Sequence, residues 1–388
     1  MSTSSKRRQA TILDSVEADL FEYYIKHAGY YLDIVSPQHH LSRVAPTMAL
    51  FDPLLYSACL AYSSHVLYLL GRLDRATEQH FNDHAIQLLI KKLSEDPSGW
   101  SEGSVLTTTV LMRVTEQFSE IADDGEYHLN GAFSIAAAAG RMWDLEPFDL
   151  ETSAFWTNLR MSVRMCFLCS HATKCDPVAL VRIQSSSTGP FDTTLAEAAF
   201  ANRMTYLMAK ICNACWPDTQ RLEEAKLTGL STELEELANS LPQAFQPWSS
   251  ISRPYSLYPT VKHISTWHTI FWQFFYAAEV LLAANFALIS PLPTIASQSQ
   301  YLEREIVGPT RNLLAVAFSS DEIGLRINAA ALVAWCGQYL TKSEEQQAVV
   351  DWLSKLAADA AWPHKTVLGR LRRIWAGEQS HWTADPAS

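Results

Sequence analysis

Glycine is scarce in this chain, at 14 of 388 residues, and no glycine-rich phosphate loop, dinucleotide fingerprint or serine-nucleophile elbow is present. The common nucleotide-dependent and serine-hydrolase classes are therefore disfavoured. Basic charge is also short: 30 Lys and Arg stand against 41 Asp and Glu, for a formal net charge of -11. Binding phosphates over a broad face needs the opposite sign, so direct DNA binding is not expected. The two basic runs, Lys6 to Arg8 and Arg370 to Arg373, are too brief to be more than solvated surface. No apolar N-terminal segment leads to a small-residue cleavage site, and the longest apolar run, over 271–289, is broken by Gln273, Glu279 and Asn285. Neither a secretory leader nor a membrane span is expected, which leaves an intracellular protein, nuclear or cytoplasmic. Seven cysteines, an odd number, fit reduced thiols better than a disulfide framework.

Apolar residues make up 48% of the chain, enough for a large core. They recur at helical spacing almost everywhere, and no long stretch alternates strictly as a half-buried strand does. The expectation is an all-α protein, a single large domain of antiparallel packed helices over 15–378. A disordered basic segment, 1–14, precedes it, and a disordered segment, 379–388, follows. Helices are expected near 15–34, 52–72, 74–94, 102–119, 127–142, 152–172, 194–216, 231–240, 260–289, 297–317, 322–340, 343–360 and 364–376. The most legible begins in FDPLLYSACLAYSSHVLYL, 51–69. Asp52 can cap a first turn and Pro53 fits the first helical position, where no N–H is needed. Behind them Leu55, Cys59, Tyr62, Val66 and Leu69 form an apolar stripe with small residues between, the mark of a core helix. The segment 240–260 holds four prolines and several aromatics. It is expected to be a loop whose rings pack onto the helices.

Several segments in order carry a family resemblance: LFEYYIKHAGYYL over 20–32, the helix after Asp52, YHLNGAFSI over 127–135, FWTNLRMSVRM over 155–165 and AWPHKTVLGRLRRIW over 361–375. With marker residues His128, Gly131 and Trp156, they resemble the helical regulatory domain of fungal-specific transcription factors, the region that follows a binuclear zinc cluster. The resemblance spans about 15–376. It implies a helical domain and a role in transcription regulation. In that family DNA is contacted through six cysteines holding two zinc ions, and no room for them precedes Ser15. The nearest imitation, Cys166, Cys169 and Cys175 with Cys212 and Cys215, lies in apolar helical sequence, where cysteine serves as a small core residue. The resemblance thus implies a regulatory or interaction protein without its own zinc cluster, serving pathway-specific regulation of secondary metabolism. Such a protein works through another regulator, self-association or a small effector, with no catalytic residue and no cofactor. A missing upstream zinc-cluster exon would make Lys6 to Arg8 the remnant of its linker.

Three constellations carry chemistry. His80 and His84 stand four apart beside Asp83, but without a following Glu they read as polar helix surface. His263 and His268 flank Trp267 and read as satisfied core or rim histidines. The strongest is acidic: Glu116, Glu120, Asp123, Asp124 and Glu126, of which Glu116, Glu120 and Asp124 share a helical face. Their hard oxygens could hold Mg²⁺ with an isoprenoid diphosphate. Trp267, His268, Phe271, Trp272, Phe274, Phe275 and Tyr276 would then wall a cavity whose ring faces stabilise cations. The alternative to a regulator is therefore a Mg²⁺-dependent sesquiterpene cyclase. Its second metal motif is incomplete, because Asn158 and Ser162 are followed by Cys166 where a Glu is needed.

Overall fold

A computed structural model describes residues 15–95, 103–118, 127–138, 140, 142–173, 175–183, 193–217, 222–290, 293–379 and 382. Helices dominate them, as the periodicity requires. Chain order runs α1 (Ser15–Tyr23), a π-helical turn (Tyr24–Ala28), α2 (Gly29–Leu32), a second π turn (His40–Val44), α3 (Ala45–Ala49) and α4 (Pro53–Leu69). Next come α5 (Arg75–Glu95), α6 (Gly103–Phe118), α7 (Tyr127–Ala138), α8 (Leu150–Cys169), α9 (Pro177–Leu180), α10 (Thr193–Cys215) and α11 (Glu224–Asn239). A short antiparallel pair, β1 (Ser249–Ile251) and β2 (Thr260–Lys262), precedes α12 (Thr266–Ile289). The chain closes with α13 (Ile295–Tyr301), α14 (Gly308–Phe318), α15 (Ile323–Gly337), α16 (Ser343–Ala360) and α17 (Lys365–Trp375).

Local chemistry explains where α4 begins. Asp52 is extended, and its Oδ1 accepts from the N–H of Leu54 at 2.9 Å and of Leu55 at 3.3 Å, with Pro53 in the first turn. Other expected helices are interrupted. The one expected over 297–317 is α13, a π turn (Leu302–Val307) and α14. Pro309, in the first turn of α14, offers no N–H, so the regular ladder cannot run through it. The one expected over 15–34 has the π turn inside it. There Gly29 lies so close to the next segment that an added Cβ would sit 2.9 Å from the Cα of Ser42.

Helix α8 is the axis. It packs against α6, α10 and α15, and nearly every residue along it is buried on all sides. Such a helix is expected to be apolar throughout, yet α8 carries Arg160, which is satisfied by neutral groups. Its Nη1 donates to Asn202 Oδ1 at 3.1 Å and its Nη2 to Thr157 Oγ1 at 2.9 Å, while Asn202 donates to the Leu145 carbonyl at 2.8 Å. Burial, aided by repulsion from Arg164, brings the Arg160 guanidinium down to about 9. A second polar seam joins α8 to the N-terminal helices, where His40 Nδ1 lies 2.9 Å from both Ser36 Oγ and Ser153 Oγ.

Helix α12 is the one described helix long and apolar enough to cross a membrane. Its surroundings identify it as a core helix. It packs against α10, α14 and α15, and Gln273 within it donates to the Leu325 carbonyl and accepts from Asn328.

Candidate interaction surface

Of the acidic residues, Glu120, Asp123, Asp124 and Glu126 lie outside the described residues, and Glu116 is placed only as backbone in the last turn of α6. The aromatic set is fully described, and its rings lie against one another. Phe271 is fully buried, with ring centroids 5.5 Å from Phe245 and from Trp272. Trp272 donates its Nε1–H to the Phe245 carbonyl at 2.7 Å and stacks on Tyr276, and Phe275 sits edge-on to both. His268 is buried under Phe245 with centroids 4.2 Å apart, and its Nε2 meets Glu197 Oε2 at 2.9 Å, the carboxylate that Trp267 also reaches. Burial lowers the His268 imidazole despite that carboxylate, so the ring is held in place as a neutral partner. A cavity wall for carbocations gains no support from this packing.

The histidines of α5, His80 and His84, are exposed with Asp83. Asn158 and Ser162 are buried in α8. All seven cysteines are free thiols, and Cys166 and Cys212 meet across the contact of α8 with α10, where burial pushes Cys166 up. Among the described residues no three His, Cys, Asp or Glu side chains gather as metal ligands.

What the sequence hid lies just before α12. The expectation that rings of 240–260 pack onto the helices is half right: Phe245 and Tyr258 are buried. The rest form an outward hairpin. Trp248 is 66% exposed, Ile251 53%, Leu257 46% and Ile264 68%, while Tyr255 is as exposed as in an isolated chain. Apolar side chains scattered singly over a surface are ordinary, but here five exposed ones fall between positions 248 and 264, on and beside one hairpin.

Geometry fixes the hairpin to the body on one side only. Val261, on β2, donates its N–H outward to Ser319 Oγ at 2.7 Å, and the Lys262 ammonium donates to the Ser319 carbonyl at 2.7 Å. Strand β2 is therefore fastened to the end of α14. Ser250 pairs with Val261, and the members of an antiparallel pair point their backbone groups the same way relative to the partner. Ser250 thus turns its N–H and C=O away from β2, along an edge that no described strand covers.

The tip is a tight turn, with Ser256 donating its N–H to the Arg253 carbonyl at 3.2 Å. Pro254 occupies the second position and Tyr255 the third, with φ +70°. Glycine is the usual residue there, because a Cβ is strained at positive φ. Beside the hairpin, a cleft of about 320 Å³ is lined by Lys262, His263, Ser265, Thr269, Ser319 and Glu322 among others. Burial brings His263 down to about 4, and burial raises Glu322. His263 is thus neutral there, and Lys262 shares the lining with Asp321 and Glu322.

The sequence held a signal for this surface. No Asp or Glu occurs between Glu236 and Glu279, in a chain of net charge -11, while Arg253 and Lys262 fall inside that gap.

The described residues thus form a buried helical body that carries one hairpin with exposed apolar side chains. The sequence profile of the fungal specific transcription factor domain matches residues 19–384, nearly the whole chain, and the chain belongs to that family. Neither a curated protein nor a solved structure matches it.

Proposed function

We propose that this chain is the regulatory interaction part of a transcription system, docking to a protein partner through the hairpin that carries Trp248 and Tyr255. Family membership supports a regulatory role. The observation that carries the docking reading is the concentration of exposed apolar side chains: five between positions 248 and 264, on and beside a hairpin fastened at one edge. A folded surface keeps such groups in water when they are covered in a complex. Because the net charge of -11 opposes broad phosphate contact, DNA is contacted by the partner, in the nucleus, at genes of a secondary-metabolite pathway.

The test is a strain carrying Trp248→Ala, Tyr255→Ala and Leu257→Ala together. With helicity and protein level unchanged, its target transcripts fall as they do in a deletion strain. Wild-type transcripts in that strain would sink the docking reading.

A further inference from the structure

We propose that the cavity between α1 and the end of α4 is a small-molecule site, and that it takes a free α-amino acid with a large apolar side chain. The cavity holds about 470 Å³, within the range of small-ligand sites, and Leu20, Tyr23, Leu67 and Leu73 are in its lining. It shares no residue with the hairpin.

Backbone geometry sets its central cation in place. Just past α4, Gly71 takes φ +69°, a conformation that residues with a Cβ resist. Gly71 donates its N–H to the Tyr68 carbonyl at 2.9 Å, and Arg72 donates its own to the Leu67 carbonyl at 2.8 Å. This pair of bonds is a Schellman closure, which ends the helix and fixes the direction of the chain beyond it. The Arg72 guanidinium comes to stand over the Tyr23 ring of α1, 5.8 Å from its centroid. Among the described residues it forms no ion pair, so its forked donors remain available to a carboxylate.

The other charges decide what kind of carboxylate. Besides His27, four charged side chains line the cavity: Asp19, Glu22, Lys26 and Arg72. Glu22 and Lys26 bond to each other and cancel. That leaves one acid and one base, Asp19 and Arg72, which are not paired with each other or with any described residue. Asp19 and Tyr23 stand four apart on α1, so the acid lies one turn from the ring under Arg72. A simple anion would be repelled by Asp19, and a simple cation by Arg72. A zwitterion satisfies both.

The apolar lining accounts for the side chain. Leu20 and Leu67 are buried, and the rings of Tyr23 and His27 lie with centroids 5.0 Å apart along the same face. Such walls favour a ligand with an apolar body between its polar contacts.

The experiment is calorimetric titration of the full chain with L-phenylalanine. Saturable binding is expected, about tenfold tighter than that of phenylacetate, which lacks the ammonium, or of phenethylamine, which lacks the carboxylate. Glycine should not compete. Asp19→Asn should erase the preference over phenylacetate, and Arg72→Met the preference over phenethylamine. Both residues are exposed, so each variant should keep wild-type helicity.

Phenylacetate or phenethylamine binding as tightly as L-phenylalanine overturns the zwitterion, and glycine competing equally overturns the apolar body. Binding that survives both Asp19→Asn and Arg72→Met unchanged lies elsewhere and overturns the site. Absence of saturable binding by both L-phenylalanine and L-leucine overturns the whole proposal. None of these outcomes bears on the hairpin, whose test is the transcript level of the triple variant.

Discussion

Helix α12 and the hairpin before it are both rich in aromatic residues, and their rings meet opposite fates. In α12 the rings of Phe271, Trp272, Phe275 and Tyr276 interlock, and even the indole N–H of Trp272 is spent on a carbonyl within the fold. In the hairpin Trp248 and Tyr255 stand in water. Composition alone would rank α12 as the more functional of the two. What separates them is backbone geometry. A helix set among α10, α14 and α15 offers most of its length a neighbour, whereas a hairpin fastened along β2 leaves the other edge and the tip bare. Aromatic content therefore marks core packing in one region and exposed surface in the other.

The largest effect that would sharpen this contrast is Phe271→Ala. Removing a fully buried ring should destabilise the fold by about 3–5 kcal/mol in urea denaturation. A loss below about 1 kcal/mol would show that the α12 rings are not core and would reopen the cavity reading.

Next comes pH. Glu279, mostly buried in α12, is pushed up to about 7 by burial and then by Glu305 and Glu235. A carboxyl raised on folding binds its proton more tightly in the native state. Its contribution is fully present below the ordinary carboxylate range and is lost as pH rises through about 7. Glu279→Gln should flatten the stability profile between pH 5 and pH 8, gaining about 1–2 kcal/mol at the upper end. An unchanged slope would remove Glu279 as a cause.

On the hairpin, signs reverse. Tyr255→Gly relieves a strained φ and should stabilise by up to about 1 kcal/mol, partly offset by the wider freedom of glycine when unfolded. Destabilisation beyond about 1 kcal/mol would mean that the ring packs on the body. The smallest effect is Trp248→Ala, expected within about 0.5 kcal/mol of wild type. A large loss there would erase the distinction between the two regions.

Elements governed by local chemistry were legible. Asp52 and Pro53 fixed the start of α4 because a cap and a proline act on their own neighbours. The all-helical class followed from periodicity, and the family from the order of short segments. Elements that depend on distant approach were not. The π turns around Ala28 and Val44 reflect close packing of segments, and α3 is too short to show a period. β1 and β2 hold three residues each, below the length at which alternation can be read. The surface was half visible: its lack of carboxylates could have been noticed, but which rings would face water depended on the bond from Val261 to Ser319, 58 residues apart.

The carbonyl of Leu168, near the C-terminal end of α8, accepts from Arg370 Nη1 at 2.8 Å and from Trp382 Nε1 at 3.1 Å. Both donors are made on the ribosome some two hundred residues after the helix they finish. Until they are in place, the last turn of the central helix lacks these two bonds. The far end of the central helix is thus completed by side chains that belong to the last part of the domain to be synthesised.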